Sequence, residues 1–240
     1  MSTSENFIAH LIELRKRLLN SVLALLLVFF CLFPFAGNLY TLLALPLLDK
    51  LPKNGQMIVT GMTTSIFVPL KVALMAAFMI TLPYILYQIW RFVAPGLYAH
   101  EKRIVWPLIV ASTLLFFCGM AFAYFVVFPV VFNIVVASVP VGVTVMPDIE
   151  KYLSFALTMF VAFGVTFQVP VAVVLLVRFG MVSIAKLKEI RPYVIVGAFI
   201  VGAIFTLPDV VSQFMLAMPL LLLYEAGIVV AGWVGNKAGV

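Results

Sequence analysis

Residues 104–139 carry no charged side chain. As one straight helix this run would be on the order of 50 Å long, against about 30 Å of hydrocarbon in a bilayer. Such a segment has to tilt, protrude or bend, and Pro107 and Pro129 are the places for a bend. Other long apolar stretches follow, so spans are predicted at about 18–35, 66–87, 104–139, 152–177, 192–207 and 210–233. Apolar residues make up 65% of the chain and charged residues 10%, far from the roughly 25% charged of a soluble domain. The chain therefore reads as an all-α polytopic membrane protein of six transmembrane helices. It forms a single membrane domain over residues 1–240, with no sizeable soluble part.

Ahead of the first span, residues 1–17 read as an amphipathic helix at the membrane surface. Ser2 and Glu5 have capping-box spacing, and Phe7, Leu11, Leu14 and Leu18 recur on one face. Glu13 and Arg17 stand four apart and can pair. Arg15-Lys16-Arg17 before an apolar run has the look of a secretory leader. The run at 18–35 is long for one and no clear A-x-A site follows, so it is read as a retained span. Residues 38–68 hold Pro46, Pro52 and Gly55 and suggest short surface helices or strands. The fifth span would be a helix of only about 25 Å, ending in the tight turn Thr206-Leu207-Pro208-Asp209.

The basic residues orient these spans. Placing Arg15, Lys16, Arg17, Arg91, Lys102, Arg103, Arg178, Lys186, Lys188, Arg191 and Lys237 inside leaves Lys50, Lys53 and Lys151 outside, with Lys71 at an outer span end. That bias puts both termini in the cytoplasm.

Several functions find no support in the residues. The net charge of +6 is scattered over membrane loops and forms no stripe for nucleic acid. No Gly-rich phosphate loop, H-E-x-x-H or G-x-S-x-G occurs, so no nucleotide-driven, zinc-protease or serine-hydrolase chemistry is expected, and no cofactor. His10 and His100 are too few for a metal site without a supporting cluster. Cys31 and Cys118 lie inside apolar runs and read as small core residues. The chain is not expected to be an enzyme.

What remains is a handful of polar groups at or within spans, where polarity is costly. Glu101 is the carboxylate of the inner connector between the second and third spans. It reads either as an acceptor for a cationic ligand or as a surface ion pair with Lys102 or Arg103. Gln168 could contact a ligand, or cap the backbone that Pro170 frees by denying the Thr166 carbonyl a donor. Glu225 could pair with an interfacial basic group or meet a partner helix. Asp209 fits a cap at the start of the sixth span, with Thr206 and Gln213 flanking that turn.

Five stretches carry a resemblance over nearly the whole chain. They are His10-Leu11-Ile12-Glu13-Leu14-Arg15-Lys16-Arg17, the connector from Tyr87-Gln88-Ile89-Trp90-Arg91-Phe92 through Ala94-Pro95-Gly96-Leu97-Tyr98 to His100-Glu101-Lys102-Arg103, Phe163-Gly164-Val165-Thr166-Phe167-Gln168-Val169-Pro170, Arg191-Pro192-Tyr193 and Pro208-Asp209-Val210. The sequence resembles the TatC family, the polytopic subunit of the twin-arginine protein translocase, and its proteobacterial branch above all. The resemblance implies a cup-shaped bundle with short fifth and sixth helices in the bacterial cytoplasmic (inner) membrane. It implies binding of twin-arginine signal peptides of folded precursors, export driven by the proton-motive force, and an oligomeric complex with single-span TatA-type and TatB-type subunits amid membrane lipid. By resemblance, Glu101 and Phe92 are the main signal contacts, the N-terminal motif maps to Glu13 and Arg15, and Pro46, Thr206, Asp209 and Gln213 match positions of structure or partner docking. Gln168 departs from the glutamate many relatives carry and can accept hydrogen bonds but brings no charge. A small secondary transporter is the alternative reading; it calls for ionisable residues near mid-membrane, of which the sequence offers few.

Overall fold

In hydrocarbon every backbone N–H and C=O has to find its partner within the chain, and for an isolated apolar run the helix is the local solution. The computed structural model describes residues 3–48, 58–61, 63–93, 105–138, 146–205 and 210–236. Among them are the helices α1 (Thr3–Leu32), α2 (Ala36–Leu48), α3 (Thr64–Val93), α4 (Val105–Phe122), α5 (Phe128–Ala137), α6 (Ile149–Thr166), α7 (Val169–Arg178), α8 (Ile184–Glu189), α9 (Arg191–Phe205) and α10 (Val210–Asn236). The described residues contain five helical stretches long and apolar enough to cross a membrane: Leu11–Leu43, Ile66–Phe92, Trp106–Val135, Ile149–Arg178 and Gln213–Trp233. Arg191–Ile204 is a shorter apolar helix. The fold is all-α. The extended pairing among the described residues is one isolated parallel bridge, Ile58 with Asp148.

Two compact units make up the chain. The first combines Met1–Leu43 with Gly61–Thr113, the second Ala44–Thr60 with Leu114–Val240. In the first unit α1 packs along α3. The amphipathic start and the apolar run after it form one continuous helix with no break between them. Small and branched side chains of α3, among them Val68, Val72, Ala73, Ala77 and Leu82, are buried. Pro69 and Pro83 lie inside α3, and the buried Thr81 hydroxyl turns back to donate to the Ala77 carbonyl one turn earlier.

In the second unit the run after α4 does not continue as a plain α-helix. Ala123–Val127 form a π-turn, closed by the Phe128 N–H donating to the Ala123 carbonyl, and Pro129 follows in the first turn of α5. Proline has no N–H for the carbonyl four residues back, so the ladder has to be interrupted here. Behind the turn stands an aromatic column, in which Phe128 meets Phe132, Phe155 and Phe160 at ring separations of 5.4–6.0 Å. Two glycines let the helices close up. A Cβ on Gly119 would stand 2.5 Å from the Phe163 carbonyl oxygen, and one on Gly164 would overlap the Phe116 ring.

The α6–α7 break is the other consequence of proline. The chain leaves α6 at Thr166 and re-enters helix at Val169, with Pro170 in the first turn of α7. The Gln168 backbone accepts from the Ala172 N–H at 3.0 Å, but its side chain makes no capping bond to α7. α7 then packs along α10, where a Cβ on Gly227 would lie 2.9 Å from the Pro170 Cα. Val173, Leu187, Tyr224, Ile228 and Ala231 form the shared core of α7, α8 and α10.

Asp148 starts α6. One carboxylate oxygen accepts from the Glu150 and Lys151 N–H groups at 2.9 Å each, and the other accepts from the Thr60 hydroxyl. Ile58 pairs alongside, donating to Pro147 and accepting from Ile149 at 3.0 Å each. The Thr60 hydroxyl, then the backbone N–H groups, hold the Asp148 carboxyl below its ordinary value of 3.8. A group lowered in the folded state favours folding above its unfolded value and loses that contribution as pH falls through the folded one. The link between residues 58–60 and α6 is therefore expected to be intact at neutral pH and to open in acid below pH 3.8. Hydrogen exchange at the Ile58 and Ile149 amides should show the same loss of protection in Asp148→Ala at neutral pH. Unchanged protection in that variant would contradict the role of the carboxylate.

Candidate functional site

In the first unit, helical spacing places Glu13 and Arg17 on one face of α1, one turn apart. The Arg17 Nε donates to Glu13 Oε1 at 3.0 Å, and Nη2 donates to the same oxygen. The guanidinium is largely covered, at 16% side-chain exposure, while Glu13 is 34% exposed. From the other side Arg17 Nη1 reaches Gln88 Oε1 of α3 at 3.4 Å. Gln88 is only 6% exposed, and its Nε2 donates to the Tyr84 hydroxyl at 2.6 Å. A buried amide between a cation and a phenol has both its ends satisfied, which is why α3 tolerates it in an otherwise apolar helix.

One turn further along α3 from Gln88 is Phe92, partly buried. Arg91 on the last turn donates to the Tyr87 hydroxyl at 2.8 Å and lies over the Tyr87 ring, 5.7 Å from its centroid. The Trp90 indole N–H is buried with no acceptor among the described residues. Arg15 is exposed on α1. The structure thus brings Glu13, Arg17 and Gln88 together, with Phe92 a turn away. Glu101 lies outside the described residues, as do Thr206 and Asp209. Pro46 falls within α2. Gln168 belongs to the second unit.

Four polar residues of α9 and α10, Arg191, Gln213, Tyr224 and Glu225, have partners inside the second unit. Arg191 Nη2 donates to Glu225 Oε2 at 2.5 Å, so Glu225 is paired with the basic residue that begins α9. Both side chains are nearly half exposed, and the pair contributes roughly 0.2–1 kcal/mol. Gln213 Nε2 donates to the Phe199 carbonyl at 2.7 Å and packs on Gly202. Beside Glu225, the buried Tyr224 hydroxyl donates to the Leu187 carbonyl at 2.8 Å, tying α10 to α8. Tyr224→Phe leaves that carbonyl without its donor and is expected to cost about 1 kcal/mol, read as a lower thermal transition in detergent. An unchanged transition would mean the carbonyl finds another donor. No group of three or more His, Cys, Asp or Glu suited to a metal occurs among the described residues.

The family model for Sec-independent protein translocase protein (TatC) matches residues 9–219. The chain belongs to the TatC family. It is 49% identical over 228 residues to the Sec-independent protein translocase protein TatC of Haemophilus influenzae, covering 95% of this chain and 89% of that one. It is 50% identical over 225 residues to the protein of that name from Escherichia coli K12, covering 94% and 87%. A solved structure described as the crystal structure of the twin-arginine translocase receptor TatC superposes with a TM-score of 0.83 at 39% identity. The match covers 93% of this chain and 98% of that one. The TatC family supplies a component of a protein translocase, a transporter family rather than an enzyme family, and this member, with several apolar helices, is a multi-pass membrane protein.

The Glu13–Arg17 spacing is readable in the sequence, whereas the partner 71 positions away is not. The available signal for Gln88 is an amide four residues after Tyr84 in an apolar helix.

Proposed function

We propose that this chain is the receptor core of a twin-arginine translocase. It binds twin-arginine signal peptides at the cytoplasmic face and nucleates the complex that exports folded proteins. The observation that carries this reading is the family match across residues 9–219. In the proposal six spans cross the bacterial inner membrane with both termini in the cytoplasm, consistent with the charge bias of the loops. Glu101 accepts one signal guanidinium, because the planar fork of arginine fits a carboxylate bidentately where lysine offers only a point charge. Phe92 supports that contact through its ring, and Glu13 and Arg15 contribute from α1. Gln168 is a further proposed contact, as an acceptor without charge. Single-span TatA-type and TatB-type subunits are the proposed partners, with Pro46, Thr206, Asp209, Gln213 and Glu225 as docking or supporting positions. The driving force is the proton gradient acting through those partners.

Photo-cross-linking a twin-arginine signal peptide to the chain in inverted membrane vesicles tests the reading. Cross-linking competed by excess twin-arginine peptide, but not by its twin-lysine counterpart, is the expected result. Equal competition by both, or co-purification that yields no single-span partner, would overturn it. Gln168→Glu is expected to leave binding unchanged or tighten it, and a large loss would remove Gln168 from the site.

A further inference from the structure

The proposed signal contact Glu13 is already engaged by a guanidinium of its own chain. Arg17 donates to it through both Nε and Nη2, the same kind of contact an incoming signal arginine would make. The Arg17 guanidinium is not held by Glu13 alone. Its third nitrogen, Nη1, already points to Gln88 Oε1, at a distance of 3.4 Å that leaves room to shorten. Gln88 is anchored from behind by Tyr84 and buried, so its carbonyl oxygen is fixed in place as a second acceptor. Glu13 is the more exposed member of the pair, and it is the member a ligand can reach.

From this geometry we infer that Arg17 is an internal competitor for the signal peptide. It occupies Glu13 at rest and shifts to Gln88 when a signal arginine takes the carboxylate. The inference rests on the receptor reading above and adds a specificity device to it. Exchange of one guanidinium for another keeps the Glu13 charge compensated throughout, while Arg17 keeps a hydrogen-bond acceptor in the neutral Gln88 amide and gives up its ion pair. A ligand that cannot match the fork of Arg17, such as a lysine, does not displace it on equal terms. The same competition scales the net affinity for the correct signal down to the fraction of time Glu13 is free, which suits a receptor that must release its cargo.

Binding of a fluorescent twin-arginine signal peptide to the full-length chain in nanodiscs tests the exchange. Arg17→Gln removes the competitor and is expected to tighten binding by about two- to threefold. In a Glu13→Gln background the same change is expected to do nothing, because there is no carboxylate to compete for. Gln88→Glu offers Arg17 a charged alternative and is expected to tighten binding too, which keeps the test decisive if Arg17→Gln fails to fold. Discrimination against the twin-lysine peptide is expected to fall in Arg17→Gln. Should the folded Arg17→Gln protein bind as the wild type does or more weakly, or should Gln88→Glu weaken binding, Arg17 is a structural brace and the exchange is wrong. Failure of the wild-type chain to bind any twin-arginine peptide would instead sink the receptor reading, and the exchange with it.

Discussion

Glu101→Arg is expected to abolish capture of twin-arginine signals. A carboxylate that takes a guanidinium loses both its charge and its acceptors on this change, and the new side chain repels the ligand. Removing one member of a hydrogen-bonded charge pair costs about 2–5 kcal/mol, which corresponds to about thirtyfold or more in the dissociation constant. Glu101→Gln keeps the acceptor oxygen and should lose less, on the order of tenfold to a hundredfold. Fluorescence anisotropy with a labelled signal peptide at two salt concentrations measures both. The salt dependence of binding should flatten in Glu101→Gln, because one charge contact is gone. Binding of either variant at wild-type strength would remove Glu101 from the site and leave family membership untouched.

Gly119→Val is expected to unfold the second unit or drive it out of register. A side chain at position 119 would set its Cβ 2.5 Å from the Phe163 carbonyl oxygen. The obstacle is backbone, which cannot swing aside as a side-chain tip can. α4 would have to retreat from α6, and the contacts of the Phe122 ring with Phe163 and Phe167, at 5.6 and 5.8 Å, would open. Overpacking costs about 1–3 kcal/mol where neighbours can adjust, and a clash with fixed backbone belongs at or above the top of that range. At about 2–4 °C per kcal/mol for a chain of this size, the thermal transition in detergent should fall by at least about 6 °C. Gly197→Val makes the control, since nothing lies within 4 Å of a Cβ there. If Gly119→Val melts no earlier than Gly197→Val, close approach of the two helices at Gly119 is not what holds them.

The helices were legible because apolar runs in a bilayer have one local solution, and because proline marks where that solution fails. Pro34, Pro129 and Pro170 sit beside irregularities within the long apolar stretches, whereas Pro69, Pro83 and Pro219 lie inside continuous helices. Contacts inside a turn were legible as well: Glu13 and Arg17 pair at the spacing that predicts it. Glu225 reads either as pairing with an interfacial base or as meeting a partner helix, and Arg191, 34 positions away, is a base it pairs with. Long-range polar contacts were not legible. Nothing in the order of residues joins Thr60 to Asp148 or Arg17 to Gln88, 88 and 71 positions apart. Hydrophobic periodicity reports which face turns inward, but the pairing of two isolated polar groups depends on how helices are set side by side. At the α6–α7 junction the Gln168 side chain makes no capping bond to α7, and its carbonyl accepts from the Ala172 N–H.

The wide turn at Ala123–Val127 stores one amino acid more than an α-helix of the same rise would hold. Met120 before it, Ala123 and Val127 within it, and Phe128, Val131 and Phe132 after it are all buried. Length changes elsewhere in α4 would swing everything downstream by about 100° and carry the phenylalanines away from α6. Shortening by one residue within 123–127 would leave their heading unchanged. This is the slack link between α4 and α5, the point where the chain can shed a residue while the helix beyond keeps its bearings.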